Sequence, residues 1–177
     1  QADKYNVPRI CFVNKMDRTG ADFFAVLKAI EEDLGANIIP ITIPIGAEDQ
    51  FKGVIDLVEM KANIYIEETQ GKDFQIEEIP LEYKEQAEKY HSIMLEKAVS
   101  FDDELTKKYL DNPKSISSAE IVAAIRKGTI SNKAVPILCG AAFKNKGVQK
   151  LLDAVTMYLP SPLELPAIQG HDINDAQ

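Results

Sequence analysis

Two segments of this chain share one pattern, and it restricts the possible fold more than any other feature. Residues 9–13 and 134–139 are short, continuous apolar runs, each passing straight into a polar, glycine-containing loop. Beyond each loop, apolar residues recur at helical spacing: Phe23, Val26, Leu27, Ile30 and Leu34 in the first case, Leu151, Leu152, Val155 and Leu159 in the second. An unbroken apolar run of this length is what a strand buried on both faces displays. Strand, loop and helix repeated in that order predict a parallel sheet with its faces covered by helices. Punctuation agrees. Asp22 is placed to cap the first helix and Gly35 to end it, while Pro160 and Pro162 stop the second.

The residues between these units have another texture. The run 38–45 contains Pro40 and Pro44, which suits an edge strand or an interrupted one, because proline cannot donate to a ladder. Residues 54–58, 62–68 and 74–77 read as strands joined by short connections, hence antiparallel. Helices are expected over about 82–100, then from the Asp102 cap to Leu110. A third opens at the Ser117/Glu120 capping box and ends at Gly128. The predicted class is α/β: a parallel-sheet domain in two parts, 1–35 and 132–160, with an α+β subdomain inserted at 36–131 and a linker at 161–177.

Charge narrows the partners. The 177 residues carry a formal net charge of −8, and residues 46–131 hold 18 of the 28 acidic and 11 of the 20 basic side chains, a net of 11 − 18 = −7. Nucleic-acid binding depends on Lys and Arg displacing counterions from phosphates, so no direct contact with RNA is expected of this section. A solvated acidic face is the plain reading, and a basic protein partner the functional one. No apolar run is long enough for a membrane-spanning helix. Cys11 and Cys139 lie in apolar runs as structural thiols, and His91 and His171 stand alone, so no metal site is expected.

The chemistry sits in the two loops. Asn14-Lys15-Met16-Asp17 fits the N-K-x-D pattern of GTP-binding proteins, and it leaves a strand and precedes a helix, where ligands of parallel sheets bind. Two carboxylate oxygens on Asp17 match the adjacent N1–H and N2–H donors of guanine, whereas adenine would oppose them with a lone pair. The Lys15 stem suits the base plane and the Asn14 amide suits bracing of the loop. Four polar residues in a turn can match such a pattern by chance. The second loop, Gly140-Ala141-Ala142-Phe143, adds weight: it stands where GTPases present a backbone N–H to guanine O6, with Ala142 as the donor and Ala141 replacing a common serine.

With these motifs go Gly20-Ala21-Asp22-Phe23, Pro44-Ile45-Gly46-Ala47-Glu48, Gly53-Val54-Ile55-Asp56-Leu57 and Phe143-Lys144-Asn145-Lys146-Gly147-Val148-Gln149. Residues 151–162 complete a chain that, over nearly all its length, resembles the elongation factor G family. The resemblance implies an interior piece of a ribosomal translocation GTPase: the remnant of a P-loop GTPase domain plus its inserted G′ subdomain. GTP or GDP would be the ligand of the whole, the ribosome its partner through a stalk protein docked on the acidic insert, and the cytoplasm or an organellar matrix its place. Release factors and ribosome-protection proteins share N-K-x-D and an insert, and stay open as relatives.

No Gly-x-x-x-x-Gly-Lys-Ser/Thr run occurs in the chain. Without that phosphate loop, and without the switch residues and Mg²⁺ ligands that the resemblance places elsewhere, this piece is expected not to hydrolyse GTP. A separate hydrolase using Asp102 and Asp103 is disfavoured, because neighbours on a helix point in different directions. The strand at 9–13 is expected to lack its inner neighbour and expose an apolar edge, leading to self-association or to a swapped or disordered N-terminus.

Overall fold

The computed structural model describes residues 1–164; the linker expected at 161–177 therefore lies, beyond Glu164, outside the described residues. In chain order the elements are β1 Cys11–Val13, α1 Phe23–Leu34, β2 Ile38–Pro40, β3 Thr42–Ile45, β4 Gly53–Asp56, β5 Lys61–Tyr65 and β6 Phe74–Glu77. Then come α2 Leu81–Val99, α3 Asp103–Asp111, α4 Ser118–Ile130, β7 Val135–Cys139 and α5 Val148–Tyr158. They build a parallel sheet of order β1-β7-β2 and an antiparallel sheet of order β3-β4-β5-β6. The class is mixed α/β, as the alternation of textures in the sequence required.

β7 is the middle strand, pairing Cys11 with Ile137 on one side and Ile38 with Val135 on the other. Its five residues are all buried, while the β1 residues are only half-buried because β1 has a single neighbour among the described residues. The expectation of a strand covered on both faces thus holds for the second run and fails for the first. The proline-containing run 38–45 feeds both sheets. Pro40 closes β2 and Pro44 lies in β3, and each is an edge strand where a missing N–H leaves no gap in a ladder. Between them the Ile41 N–H donates to Ile137 O at 2.8 Å and its carbonyl accepts from Leu57 N at 2.9 Å, joining the sheets. β2, although inside the stretch read as the insert, belongs to the parallel sheet.

One apolar cluster runs through both sheets and the helices, with Ile39, Ile43, Ile55, Leu57, Met94, Ile125 and Ile137 fully enclosed. Burying such a side chain contributes about 1.5–3 kcal/mol, so a shared core makes the two sheets one cooperative body. Three helix expectations need correction. α4 runs on to Ile130, and Gly128 lies within it because a Cβ there would meet the Phe101 ring at 2.6 Å. On α1, Phe23 and Leu27 are buried but Leu34 is exposed beside the Gly35 terminator. On α5 the buried residues are Ala154 and Tyr158, whereas Leu152 and Val155 face outward.

Candidate functional site

Both loops predicted to carry chemistry leave the carboxyl ends of neighbouring parallel strands, so the sheet itself brings them together. Gly140 N–H donates to Val13 O at 3.0 Å and Met16 N–H donates to Gly140 O at 3.1 Å, which continues the ladder into the loops. The Asn14 side chain completes the link: its Oδ1 accepts from Lys15 N at 2.8 Å and from Ala142 N at 3.0 Å. Bracing by Asn14 follows from an amide that can accept twice. The Ala142 N–H, expected to point to a ligand, is thereby held by Asn14.

Lys15 adopts φ 64°, the left-handed region that disfavours a residue with a Cβ by about 1–2 kcal/mol. The surroundings hold it there. Met16 is 1% exposed and anchors the turn in the core. Its carbonyl accepts from Glu48 N at 2.9 Å, and Glu48 Oε1 accepts from Gly20 N at 2.6 Å, so the residues after β3 clamp both ends of the turn. The Lys15 side chain is left outward, its residue exposed.

Asp17 has only 15% of its side chain exposed, and Lys144 Nζ lies 3.5 Å from its Oδ2. That lysine comes from the second loop, so the two loops are joined by an ion pair as well as through Asn14. Phe143, next to Ala142, is 100% exposed. A groove of about 420 Å³ runs along Asn14, Lys15 and Arg18 to the first turns of α1, and another of about 470 Å³ lies beside Phe143, Lys144 and Gly71.

All four predicted residues, Asn14, Lys15, Asp17 and Ala142, therefore gather at one end of the parallel sheet. Ala141 is buried at 1% and bridges Lys146, so its serine-to-alanine difference falls inside the loop. Lys144 and Phe143 stand in the sequence only as members of a run. Their positions follow from the tight loop that Ala141 and Lys146 close. Asp102, disfavoured as a hydrolase carboxylate, is the cap of α3, accepting from Glu104 N and Leu105 N and pairing with Lys127.

The family model described as elongation factor Tu GTP binding domain matches residues 1–161. Elongation factor G of Amoebophilus asiaticus (strain 5a2) is 55% identical over 170 residues, which is 96% of this chain and 24% of that protein. A crystal structure of a Thermus thermophilus protein matches with a TM-score of 0.79 at 28% identity, over 92% of this chain and 24% of that one. The chain spans about a quarter of the length of these relatives.

Proposed function

The chain belongs to the elongation factor Tu GTP-binding domain family, and from that premise we propose that it is the guanine-reading part of a GTPase that drives translocation on the ribosome. The observation that supports this most is the Asn14 amide holding the Lys15 and Ala142 N–H groups together, with Asp17 beside them. Asp17 takes the N1–H and N2–H edge of guanine, Ala142 N–H turns from Asn14 to O6, and Lys15 lies along the base plane. The exposed Phe143 ring offers a stacking surface, and stacking of a base on an aromatic is worth about 1–3 kcal/mol.

Phosphate is another matter. The chain has no Gly-x-x-x-x-Gly-Lys-Ser/Thr run, and no three His, Cys, Asp or Glu side chains converge on a common point among the described residues. Phosphoryl transfer depends on the phosphate and Mg²⁺ contacts that accompany a Gly-x-x-x-x-Gly-Lys-Ser/Thr loop, so we expect no GTP hydrolysis by this chain on its own. A second role rests on the charge of residues 46–131: this acidic insert is a docking face for a ribosomal stalk protein.

Amide NMR of the chain during titration with GDP, with ADP as control, tests the reading. We expect weak binding, at millimolar concentration, with shifts at Asn14, Lys15, Asp17 and Ala142 for GDP and not for ADP, and no phosphate release from GTP. Asp17→Ala removes the guanine preference, a loss of about 1–3 kcal/mol in discrimination. Absence of shifts in both loops, or equal shifts with ADP, overturns base recognition; tight GDP binding overturns the lack of a phosphate site.

A further inference from the structure

Lys146 is a charged residue that is only 3% exposed, and base recognition as described makes no use of it. Its Nζ donates to Phe51 O at 3.0 Å and to Glu67 Oε1 at 2.5 Å. Both acceptors belong to the antiparallel half of the molecule, one before β4 and one after β5. Its backbone belongs to the other half: Ala141 N–H donates to Lys146 O at 2.8 Å and Lys146 N–H to Ala141 O at 3.2 Å. These two bonds close a tight loop whose first enclosed amide, Ala142 N–H, is the one that donates to Asn14.

The same two pieces of chain meet at further points. Asn145 Nδ2 donates to Gln70 O at 3.0 Å, and Gln149 Nε2 donates to Gly71 O and Lys72 O, each at 3.0 Å. Gly71 has φ 72°, and a Cβ on it would stand 2.2 Å from Lys144 O. The turn at 67–72 is thus pressed backbone to backbone against the loop that carries Ala142.

We propose that Lys146 is a positioning residue for base recognition, fixing the Ala142 loop against the insert's 67–72 turn; this rests on the function proposed above. A buried ammonium is an expensive way to fill space, and an apolar side chain would fill it at lower cost. What the lysine adds is direction. Two fixed acceptors aim Nζ, and the aimed side chain sets the backbone of the residue bridged to Ala141, hence the peptide that presents the Ala142 N–H. Glu67 is held to it in return, its carboxyl lowered by the Lys146 hydrogen bond and charge.

The test compares Lys146→Met, Lys146→Arg and Glu67→Gln with the parent chain by amide hydrogen exchange and by GDP and ADP titration. In Lys146→Met we expect the Ala142 and Met16 amides to exchange about tenfold faster while α2 and α4 amides keep their rates, as a local opening requires. The guanine-over-adenine preference falls about tenfold with it. Lys146→Arg restores both, and Glu67→Gln, a change at an exposed carboxylate that leaves the core intact, gives a smaller effect of the same kind. Unchanged Ala142 exchange in a folded Lys146→Met chain overturns the proposal, as does a uniform rise across all helices. If Lys146→Met does not fold, Glu67→Gln decides: normal exchange at Ala142 overturns the proposal. Absence of a GDP response in the parent chain sinks base recognition instead, and the exchange result stands apart from it.

Discussion

Asn14, Asp17 and Lys146 sit within one corner of the molecule, yet they differ in how far the sequence discloses them. Asn14 and Asp17 announce themselves because their work is local: four consecutive residues in a turn between a strand and a helix state a hydrogen-bonding pattern. Lys146 and Lys144 do not, since their partners Phe51, Glu67 and Asp17 are distant in the chain and meet them only once both sheets exist. The two cysteines show the same limit. Each lies in an apolar run, but Cys11 is half-buried on the outer strand and Cys139 is enclosed on the middle one. Burial pushes the Cys139 thiol up to about 12, against the smaller opposing pull of its Thr42 hydrogen bond. A thiol reacts as thiolate, so Cys139 should stay unmodified by a disulfide reagent at pH 8 while Cys11 reacts. Labelling of both at similar rates in the folded chain would contradict the burial that makes them differ.

At the level of elements, start signals in the sequence are dependable and stop signals less so. Asp22, Asp102 and Ser117 all cap the helices they are expected to cap, because a cap is a contact between residues two or three apart. Gly128 has the look of a terminator and is a packing residue, a distinction that depends on Phe101 from outside its helix. The α4 cap has a consequence for pH. Glu120 is held at about 2 by the Lys108 ammonium of α3 first, then by the Ser117 N–H and hydroxyl. Its folded value is below its ordinary one, near 4.5, so its stabilisation is full above that and is lost as pH falls towards 2. Glu164, lowered to about 2 by Arg126, has the same sign. Thermal midpoints should therefore drop between about pH 4.5 and 2, and Glu120→Gln should flatten part of that fall. Ser117→Ala should cost about 1 kcal/mol in urea unfolding. An acid limb unchanged by Glu120→Gln would assign the acid sensitivity elsewhere.

Among the described residues the two sheets have four edge strands, of which β2 and β3 meet through Ile41, and the outer two, β1 and β6, are not equally guarded. β6, at the end of the antiparallel sheet, carries Glu77 and is followed by Glu78, whose carboxylate pairs with Lys61; charges of this kind discourage a second chain from pairing. β1 carries Cys11, Phe12 and Val13 and no charge. On α5, which follows the strand paired with β1, Leu152, Val155 and Met157 are exposed at 61%, 41% and 46%. We expect the chain to self-associate through this unguarded side, with the mass in light scattering rising with concentration. A constant monomer mass over about a hundredfold range of concentration would show that the β1 margin is shielded. The parallel sheet is legible from its repeated pattern, while the strand order is not, because pairing depends on which apolar surfaces remain after the antiparallel sheet has folded.

The central place of β7 also sets an order of events. β1 and β2 never touch as a pair, so each waits for a strand made only after every residue up to Val135 has left the ribosome. The antiparallel sheet has no such wait, since each of its strands pairs with the next one in the chain. Contacts between neighbours in sequence close small loops and form quickly, whereas those across long separations form late. During synthesis we therefore expect the insert to take shape first, and the corner that holds Asn14 and Ala142 to be assembled only after β7 has joined β1.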